Sequence, residues 1–383
     1  MPTDAALKSP AVPLREIPHA VSPGLWTLAW RRLKTDSIAM VCLAIVAAFL
    51  LLMMASGAGL VAKDWAREVG VNYAPPSWLE YSPEPVTAPS GGPATTGTSL
   101  DGAPGTVIAD ALKPEAAAPG ADESKIVDPL ADVMKDIRSG QAGAKEAVAE
   151  ERRATLPFGG DKWGRDIIAK TIKGSETSIF VGLAAAVVAV FIGTVLGAFA
   201  GYYGRWVDDV LNWFYSVFSS IPFLLLILAV AAVLQQKGMF TIVLILGLTG
   251  WSGVFRLIRA EYLKHKGREY VMAADALGAS DSRKMFLHIF PNVSHVVLVQ
   301  LSILTVGFIK AEVILSFLGF GVPVDVVSWG SMLNEAQNEL ILGKWWQLVA
   351  ATIAMATLVT AFSLFTDALR DALDPKLKGR TGH

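Results

Sequence analysis

The chain has 383 residues, of which 53% are hydrophobic and 17% are charged, and this composition excludes an ordinary soluble domain and is typical of a multispanning membrane protein. The formal net charge of -1, together with the lack of a Lys- and Arg-rich run, excludes the usual basic surface that binds nucleic acid, so no nucleic-acid partner is expected. Cys42 is the only cysteine, which excludes an intrachain disulfide and a cysteine metal site.

The chain begins with a polar segment that leads into a first apolar run. Residues 1–36 contain scattered prolines and basic side chains and are predicted to form a cytoplasmic N-terminal arm. Residues 37–58 contain no charged side chain, and as a helix rising about 1.5 Å per residue they can cross a hydrocarbon core of about 30 Å. The run begins too late for a cleavable signal, so we assign a retained first transmembrane helix to residues 37–62.

A long segment of different composition follows the first span. Residues 63–155 are rich in Ala, Pro, Gly, Asp and Glu and contain few large apolar side chains. Such a segment cannot bury enough apolar surface to offset the entropy lost on ordering. We therefore predict a largely disordered periplasmic insertion, whose role the sequence does not indicate.

Residues 156–383 contain five further apolar runs, which predict an all-α integral membrane protein with six transmembrane helices. Pro222 interrupts one of these runs, and this favours a kink over contact with a transported molecule, although both interpretations stay open. In another, Gly193, Gly197 and Gly201 repeat every four residues, which predicts close helix packing. The five runs cover residues 180–200, 210–234, 240–258, 293–317 and 348–365.

Basic side chains predict the orientation of the chain in the membrane. The two termini, the turn at 201–209 and the loop at 256–284 hold seventeen Lys and Arg residues, whereas the two short loops on the other side hold only Lys237 and Lys344. The positive-inside rule therefore places both termini in the cytoplasm and the insertion outside.

A charged loop at 259–292 separates two apolar runs, and its second part reads GREYVMAADALGASDSRKMFLHIFPN. Tyr270, Ala273, Ala274 and Leu277 recur at helical spacing, which predicts one small, apolar helix face. Gly278 then offers a left-handed stop. A second short helix at 282–290 is predicted to end at Pro291, because proline cannot continue an interior helical ladder. An amphipathic helix on the inner leaflet is the alternative interpretation of this loop.

Several kinds of chemistry have no motif in the sequence. There is no G-x-x-x-x-G-K-[ST] phosphate loop, no H-E-x-x-H and no G-x-S-x-G, and the five histidines are scattered. We therefore predict no catalytic residue, no metal ligand and no cofactor bound by this chain. Lys310 and Glu312 are the charged residues predicted within the fifth span, near its outer edge.

The charged loop resembles the EAA loop of ABC-transporter permeases, in which an Ala-Ala pair, a following Gly and a Leu-Pro ending dock into a cleft on the ATPase subunit. Met272 stands where that family often has Glu, and Phe290 where it has Leu. The resemblance implies an ATPase-coupling role for a set of loop residues, namely Glu269, Ala273, Ala274, Gly278 and Pro291.

Further segments resemble the dipeptide, oligopeptide and nickel branch of these permeases, and the N-terminal WRRLKTDSIAMVCLAIV resembles its C-type member. The matching segments are GDKWGRD at 160–166, Ile221 and Pro222 in the third span, LSFLGFG at 315–321, and DALRDALDP at 367–375. Residues 63–155 match no segment of the branch. The resemblance covers residues 156–378 and the first span.

The resemblance implies a multi-pass subunit of the bacterial inner membrane, surrounded by lipid, that pairs with a second homologous permease. Two cytoplasmic ATPase subunits that use ATP and a periplasmic or extracellular substrate-binding protein would complete an importer, with peptide as the expected cargo. Within it, Lys310 is expected to snorkel to the headgroups. Glu312, which shares a helix face with Ser316, is hypothesised to face the partner permease or the outer mouth of the path, with Pro222 a further path candidate.

Other functions stay open beside this one. A nickel-chelate or other small-peptide-like importer fits the same resemblance. A secondary transporter would show carboxylates near the midplane and internal repeats, and a membrane-embedded enzyme would show clustered His, Asp or Ser; neither pattern is evident, so we expect no enzyme. The sequence does not identify the cargo, the partner subunits or the residues that line the path.

Overall fold

The computed structural model describes residues 25–79, 152–323 and 325–373. Throughout these ranges the regular structure is helical, and strand-like pairing is limited to isolated bridges near the ends of the insertion. The predicted all-α architecture is confirmed. Most of the insertion lies outside the described residues, so its predicted disorder stays a prediction.

Twelve α-helices and one π-helical segment make up the described parts of the chain. They are α1 Leu25–Thr35, α2 Ser37–Gly57, α3 Ile167–Tyr203, α4 Arg205–Ser219, α5 Phe223–Leu234, α6 Met239–Thr249, α7 Ser252–Lys266, α8 Glu269–Ala276, α9 Asp281–Arg283, the π segment Lys284–Ile289, α10 Phe290–Phe317, α11 Trp329–Ile341 and α12 Trp346–Leu373.

The helices provide four to six candidate spans. Four are long and apolar enough to cross a membrane without a bend, namely α2, α3, the run from α9 through α10, and α12. Two bent pairs, α4 with α5 at 84° and α6 with α7 at 42°, supply the other two if each pair is one span. Ala29 of α1 packs with Leu373 at the end of α12, so both ends of the described chain lie together, as an even number of crossings requires.

The central helix of the bundle is α3, which is longer than predicted. It begins at Ile167 rather than at residue 180, because Asp166 accepts a hydrogen bond from the Ile168 amide at 2.8 Å and caps the first turn. A Cβ atom added at Gly197 would lie 2.7 Å from the carbonyl oxygen of Phe255 in α7. The glycine repeat therefore allows two helix backbones to touch, which confirms its predicted packing role.

The break in the third span lies at the predicted proline. α4 ends at Ser219, Pro222 immediately precedes α5, and the two helices meet at 84°. Pro222 has no amide hydrogen to donate to the preceding turn, so the helix stops before it and restarts in a new direction.

The two ends of the insertion fold together into a small layer that we call the platform, residues 60–79 with 152–166. The Gly70 amide donates to the Gly164 carbonyl at 2.8 Å, and the Tyr73 amide donates to the Asp161 carbonyl at 2.9 Å. Gly164 has a φ of +77°, and a Cβ there would overlap the Gly70 carbonyl oxygen, so only glycine fits. The ordered chain thus continues past the predicted boundary at residue 63.

Candidate functional site

Residues 267–283 of the charged loop contain the short helix α8, which ends at the predicted glycine. Gly278 has a φ of +79°, its amide donates to the Asp275 carbonyl at 2.9 Å, and the Ala279 amide donates to the Ala274 carbonyl at 3.0 Å. These two bonds form a Schellman motif, which satisfies the last carbonyl groups of the helix. The predicted left-handed stop at Gly278 is confirmed.

Ala273 and Ala274 of α8 differ in exposure. Ala274 is 8% exposed and points towards the bundle with Val271, whereas Ala273 is exposed and Leu277 is 88% exposed. Adjacent residues of an α-helix differ by about 100° in direction, so burying Val271 and Ala274 turns their neighbours outwards. Ala274 therefore does not share the exposure of Ala273 and Leu277, and the prediction that these residues present one accessible face is wrong for Ala274. We call Glu269, Met272, Ala273 and the capping residue Leu277 the exposed face of α8, although Tyr270, Asp275 and Ala276 are exposed too.

The prediction that a helix ends at Pro291 is also wrong. The π segment continues directly into α10, in which Pro291 occupies the first turn. The Phe290 amide donates to the Met285 carbonyl, five residues back, and in the first turn of a helix a proline does not break a required hydrogen bond. Pro291 therefore starts the long helix and does not close the loop.

Lys284, which the sequence analysis did not single out, connects α8 to the bundle. Its Nζ atom lies 2.5 Å from Asp275 Oδ1 and 3.0 Å from Asp281 Oδ1. Tyr202, at the end of α3, donates a hydrogen bond from Oη to Asp281 Oδ1 at 2.7 Å, and Lys284 Nζ lies 6.0 Å from the centre of the Tyr202 ring. We call these four side chains the lysine hub.

Other polar contacts hold the helices next to the loop. Arg259 of α7 donates from Nε and Nη2 to the two oxygens of Asp208 in α4, at 2.5 and 2.6 Å. Such a bidentate pair fixes both position and orientation. His265 Nδ1 and Tyr270 Oη lie 2.8 Å apart, and burial raises the pKa of Tyr270, so its hydroxyl stays protonated.

Glu312 does not face a partner or the mouth of a path, as hypothesised from the sequence. It is fully buried, and it accepts hydrogen bonds at 2.7 Å from Ser178 Oγ and from Ser316 Oγ. Ser316 is buried as well, and a Cβ at Gly330 would lie 2.5 Å from its Cβ atom. These residues therefore form a close-packed contact between α3, α10 and α11. Lys310 is exposed, as snorkelling requires.

A buried ionic cluster attaches the platform to the bundle, and sequence reasoning missed it because α3 was expected to begin later. Lys170 is 1% exposed, and its Nζ atom lies 2.7 Å from Asp161 Oδ2, 2.6 Å from Glu335 Oε2 and 3.3 Å from Gln347 Oε1. Asp161, from the GDKWGRD motif, also accepts hydrogen bonds from two loop amides. The motif thus acts here as a structural anchor.

A further carboxylate, Glu339 of α11, lies beside this ionic cluster. Its side chain is 2% exposed, and neither carboxylate oxygen has a hydrogen-bond partner. Burial raises the pKa of Glu339 to about 7, against the opposing effect of the positive charge of Lys170. Within the described residues, no group of three or more His, Cys, Asp or Glu could hold a metal ion.

Two family models match the chain. Residues 193–379 match the binding-protein-dependent transport system inner membrane component, and residues 24–76 match the N-terminal TM domain of oligopeptide transport permease C. The second match extends into the predicted insertion and covers much of the first half of the platform, although the sequence analysis had found no resemblance for residues 63–155.

Named relatives also match the chain. The oligopeptide transport system permease protein OppC of Bacillus subtilis is 38% identical over 221 residues, which is 58% of this chain and 72% of the relative. The dipeptide transport system permease protein DppC of the same organism is 36% identical over 58% of this chain and 69% of its own length. OppC of Haemophilus influenzae is 36% identical over 57% and 70%.

A solved structure of the MetNI methionine ABC transporter matches 54% of this chain and 98% of its own, with a TM-score of 0.44 and 13% identity. The two family models include α1, α2, the end of α3 and all the later helices. On this basis the chain belongs to the family of binding-protein-dependent transport system inner membrane components.

Proposed function

We propose that this chain is a permease subunit of an ABC importer for di- or oligopeptides. It forms the translocation path together with a second, homologous permease, and it is coupled to two cytoplasmic ATPase subunits. The chain itself catalyses no reaction and binds no cofactor, since the ATPases bind and hydrolyse ATP. A periplasmic or extracellular binding protein delivers the peptide.

The observation that carries this proposal is the exposed face of α8. Met272 of α8 is 54% exposed and Leu277, the residue that caps the helix, is 88% exposed, although a complete Schellman motif fixes this end of the helix. Apolar side chains grouped on one short, ordered element are typical of a surface that another protein covers. The charged residues around them keep this helix out of the bilayer, so the covering partner must be a soluble domain or subunit.

The cargo is proposed from the relatives. Two of the proteins described above are named for oligopeptide transport and one for dipeptide transport. Because Glu312 is buried within the chain, it is not offered as a contact for the amino terminus of a peptide. Coupling residues are proposed from the exposed face, namely Glu269 and Ala273, with Gly278 shaping the turn.

The mechanism follows from how α8 is attached. When the ATPases close on ATP, they displace α8, which is joined to α7 through Gly267 and Arg268 on one side and to the π segment and α10 through the turn at Gly278 and α9 on the other. These helices belong to the fourth and fifth spans. Their movement alternately opens the path to the two sides of the membrane.

Leu277→Asp tests the coupling surface directly. Since Leu277 is almost fully exposed, the substitution should leave folding unchanged and weaken ATPase binding by about thirtyfold, the effect of losing about 2 kcal/mol at an interface hot spot. The tagged chain is purified, and the co-purifying ATPase subunits are identified and quantified by mass spectrometry.

Leu60→Asp is the matched control. Leu60 is 80% exposed, but it lies in the platform, just after α2, and not in the charged loop. It should retain the ATPases. Equal recovery of ATPase with Leu277→Asp and wild type would contradict the coupling role of α8. Gly278→Trp is less informative, since the positive φ at that position strains any other residue.

A further inference from the structure

Apolar packing holds α8 to the rest of the chain only weakly. Of its eight residues, Val271 and Ala274 are the buried ones. A glycine lies on each side of the helix, Gly267 as the cap of α7 and Gly278 in the left-handed turn. A push on the exposed face of α8 can therefore tilt the helix without moving its neighbours, unless another contact resists the tilt.

Lys284 provides such a contact from the bundle side. Its neighbour in the π segment, Met285, is 1% exposed in the core, and Lys284 itself is 9% exposed, so its ammonium group is held in place. That group donates a hydrogen bond of 2.5 Å to Asp275, on the last turn of α8. The pair ties the moving helix to the start of the fifth span.

The same ammonium group reaches the second span. It lies 3.0 Å from Asp281 Oδ1, the atom that also accepts the hydrogen bond from Tyr202 at the end of α3. Tyr202 is 6% exposed, and Lys266 Nζ lies 5.4 Å from its ring centre. A displacement of α8 is thus passed to α3 as well as to the spans that flank the loop in sequence.

We propose that Lys284 is a positioning residue for coupling, whose ammonium group transmits the movement of α8 to α3 and to the π segment. This inference rests on the proposed function, in which α8 contacts an ATPase. α3 is one continuous helix of 37 residues, about 55 Å long at about 1.5 Å per residue, and it begins at the platform and ends at the lysine hub. Through it, Lys284 links the ATPase side of the bundle to the platform at the opposite end of α3.

A substitution in the lysine hub can affect coupling without affecting folding. The side chains of Asp275 and Asp281 are 67% and 54% exposed, and ion pairs with exposed carboxylates contribute little to stability. Lys284→Met should therefore fold and assemble. It removes all three donors of the ammonium group, whereas Lys284→Arg keeps a positive charge and several donors.

The test uses the complex that co-purifies with the tagged chain, reconstituted with its binding protein in proteoliposomes. Uptake of a mixture of synthetic peptides of two to five residues is measured by mass spectrometry, alongside ATP hydrolysis in the same vesicles. Peptide taken up per ATP hydrolysed should fall at least about fivefold in Lys284→Met, the lower end of measured coupling between sites, and should recover with Lys284→Arg. Lys264→Met is the control, since Lys264 is exposed and pairs only within α7, with Glu261.

Asp275→Asn should also lower the ratio, and the double variant Asp275→Asn with Lys284→Met should be no worse than Lys284→Met alone. An unchanged ratio in Lys284→Met, or independent losses that multiply in the double variant, would overturn the inference. If Lys284→Met fails to assemble, Asp275→Asn still decides, because its side chain is exposed. A wild-type complex that takes up no peptide while it hydrolyses ATP would instead contradict the proposed peptide importer.

Discussion

Replacement of Glu339 by Gln should change how the stability of the protein depends on pH. The carboxyl group is 2% exposed and has no hydrogen-bond partner, and burial raises its pKa to about 7 from an ordinary value of 4.5. Between these two values the folded protein holds a proton on Glu339 that the unfolded chain has released. The free energy of unfolding therefore falls as pH rises through this window.

The size of the effect follows from the shift in pKa. A shift of roughly 2.5 units, at about 1.36 kcal/mol per unit, corresponds to about 3 kcal/mol. This stability is fully present below about pH 4.5 and is lost as pH rises through about 7. Glutamine imitates the protonated acid in shape and in neutrality, so Glu339→Gln should match wild type at pH 5 and exceed its stability by about 3 kcal/mol at pH 8.

The measurement is equilibrium unfolding of the two purified proteins in mixed detergent micelles, followed by tryptophan fluorescence at several pH values. Subtracting one profile from the other removes the contribution of groups that titrate identically in both. Two parallel profiles would refute the reasoning, because they would mean that the carboxyl group of Glu339 is equally easy to ionise in the folded and unfolded chain.

Three further predictions concern packing and topology. Lys170→Met should lower the free energy of unfolding by about 3–5 kcal/mol, because it leaves the buried carboxylate of Asp161 without its cation. Lys173→Met removes a partly exposed ion pair and should lower it by only about 0–1 kcal/mol in the same unfolding assay. Gly201→Ala should lower the free energy of unfolding by about 1–3 kcal/mol, since the new Cβ atom would lie 2.6 Å from a carbonyl oxygen of α7. Gly253→Ala, whose Cβ atom would have no neighbouring atom within 4 Å, should leave the free energy of unfolding unchanged or raise it by up to about 1 kcal/mol. A cysteine that replaces Ser99 should react with an impermeant maleimide in spheroplasts, because the insertion is predicted to lie outside. Reaction only after the inner membrane is permeabilised would contradict this orientation.

Features that depend on local physics were predictable from the sequence. Hydropathy located the four to six candidate spans, because a membrane crossing needs a minimum length of apolar chain whatever its neighbours are. The turn at Gly278 was predictable because a positive φ favours glycine strongly, and the spacing of Gly193 and Gly197 already implied close helix contact.

Features that depend on which elements meet were not predictable. The direction of Ala274 is set by the surface that packs against α8, and the burial of Glu312 requires serines from two helices, one of them far away in the chain. The lysine hub combines residues from α3, α8, α9 and the π segment. The prediction that a helix ends at Pro291 was wrong because proline is tolerated in the first turn of a helix, here where the π segment continues into α10.

The platform has a consequence for the length of the insertion. The described chain leaves the platform after Leu79 and returns to it at Arg152. Within the platform, the Ser77 amide donates to the Leu156 carbonyl at 2.9 Å, and Arg152 pairs with Glu68. The platform therefore holds the two ends of the insertion together, so that they stay paired whatever length of chain joins them. Even for a fully flexible loop, doubling the length would add only about 0.6 kcal/mol of closure entropy. Related chains can thus gain or lose tens of residues at this point, or accept a foreign domain, while the helices beneath keep the same arrangement.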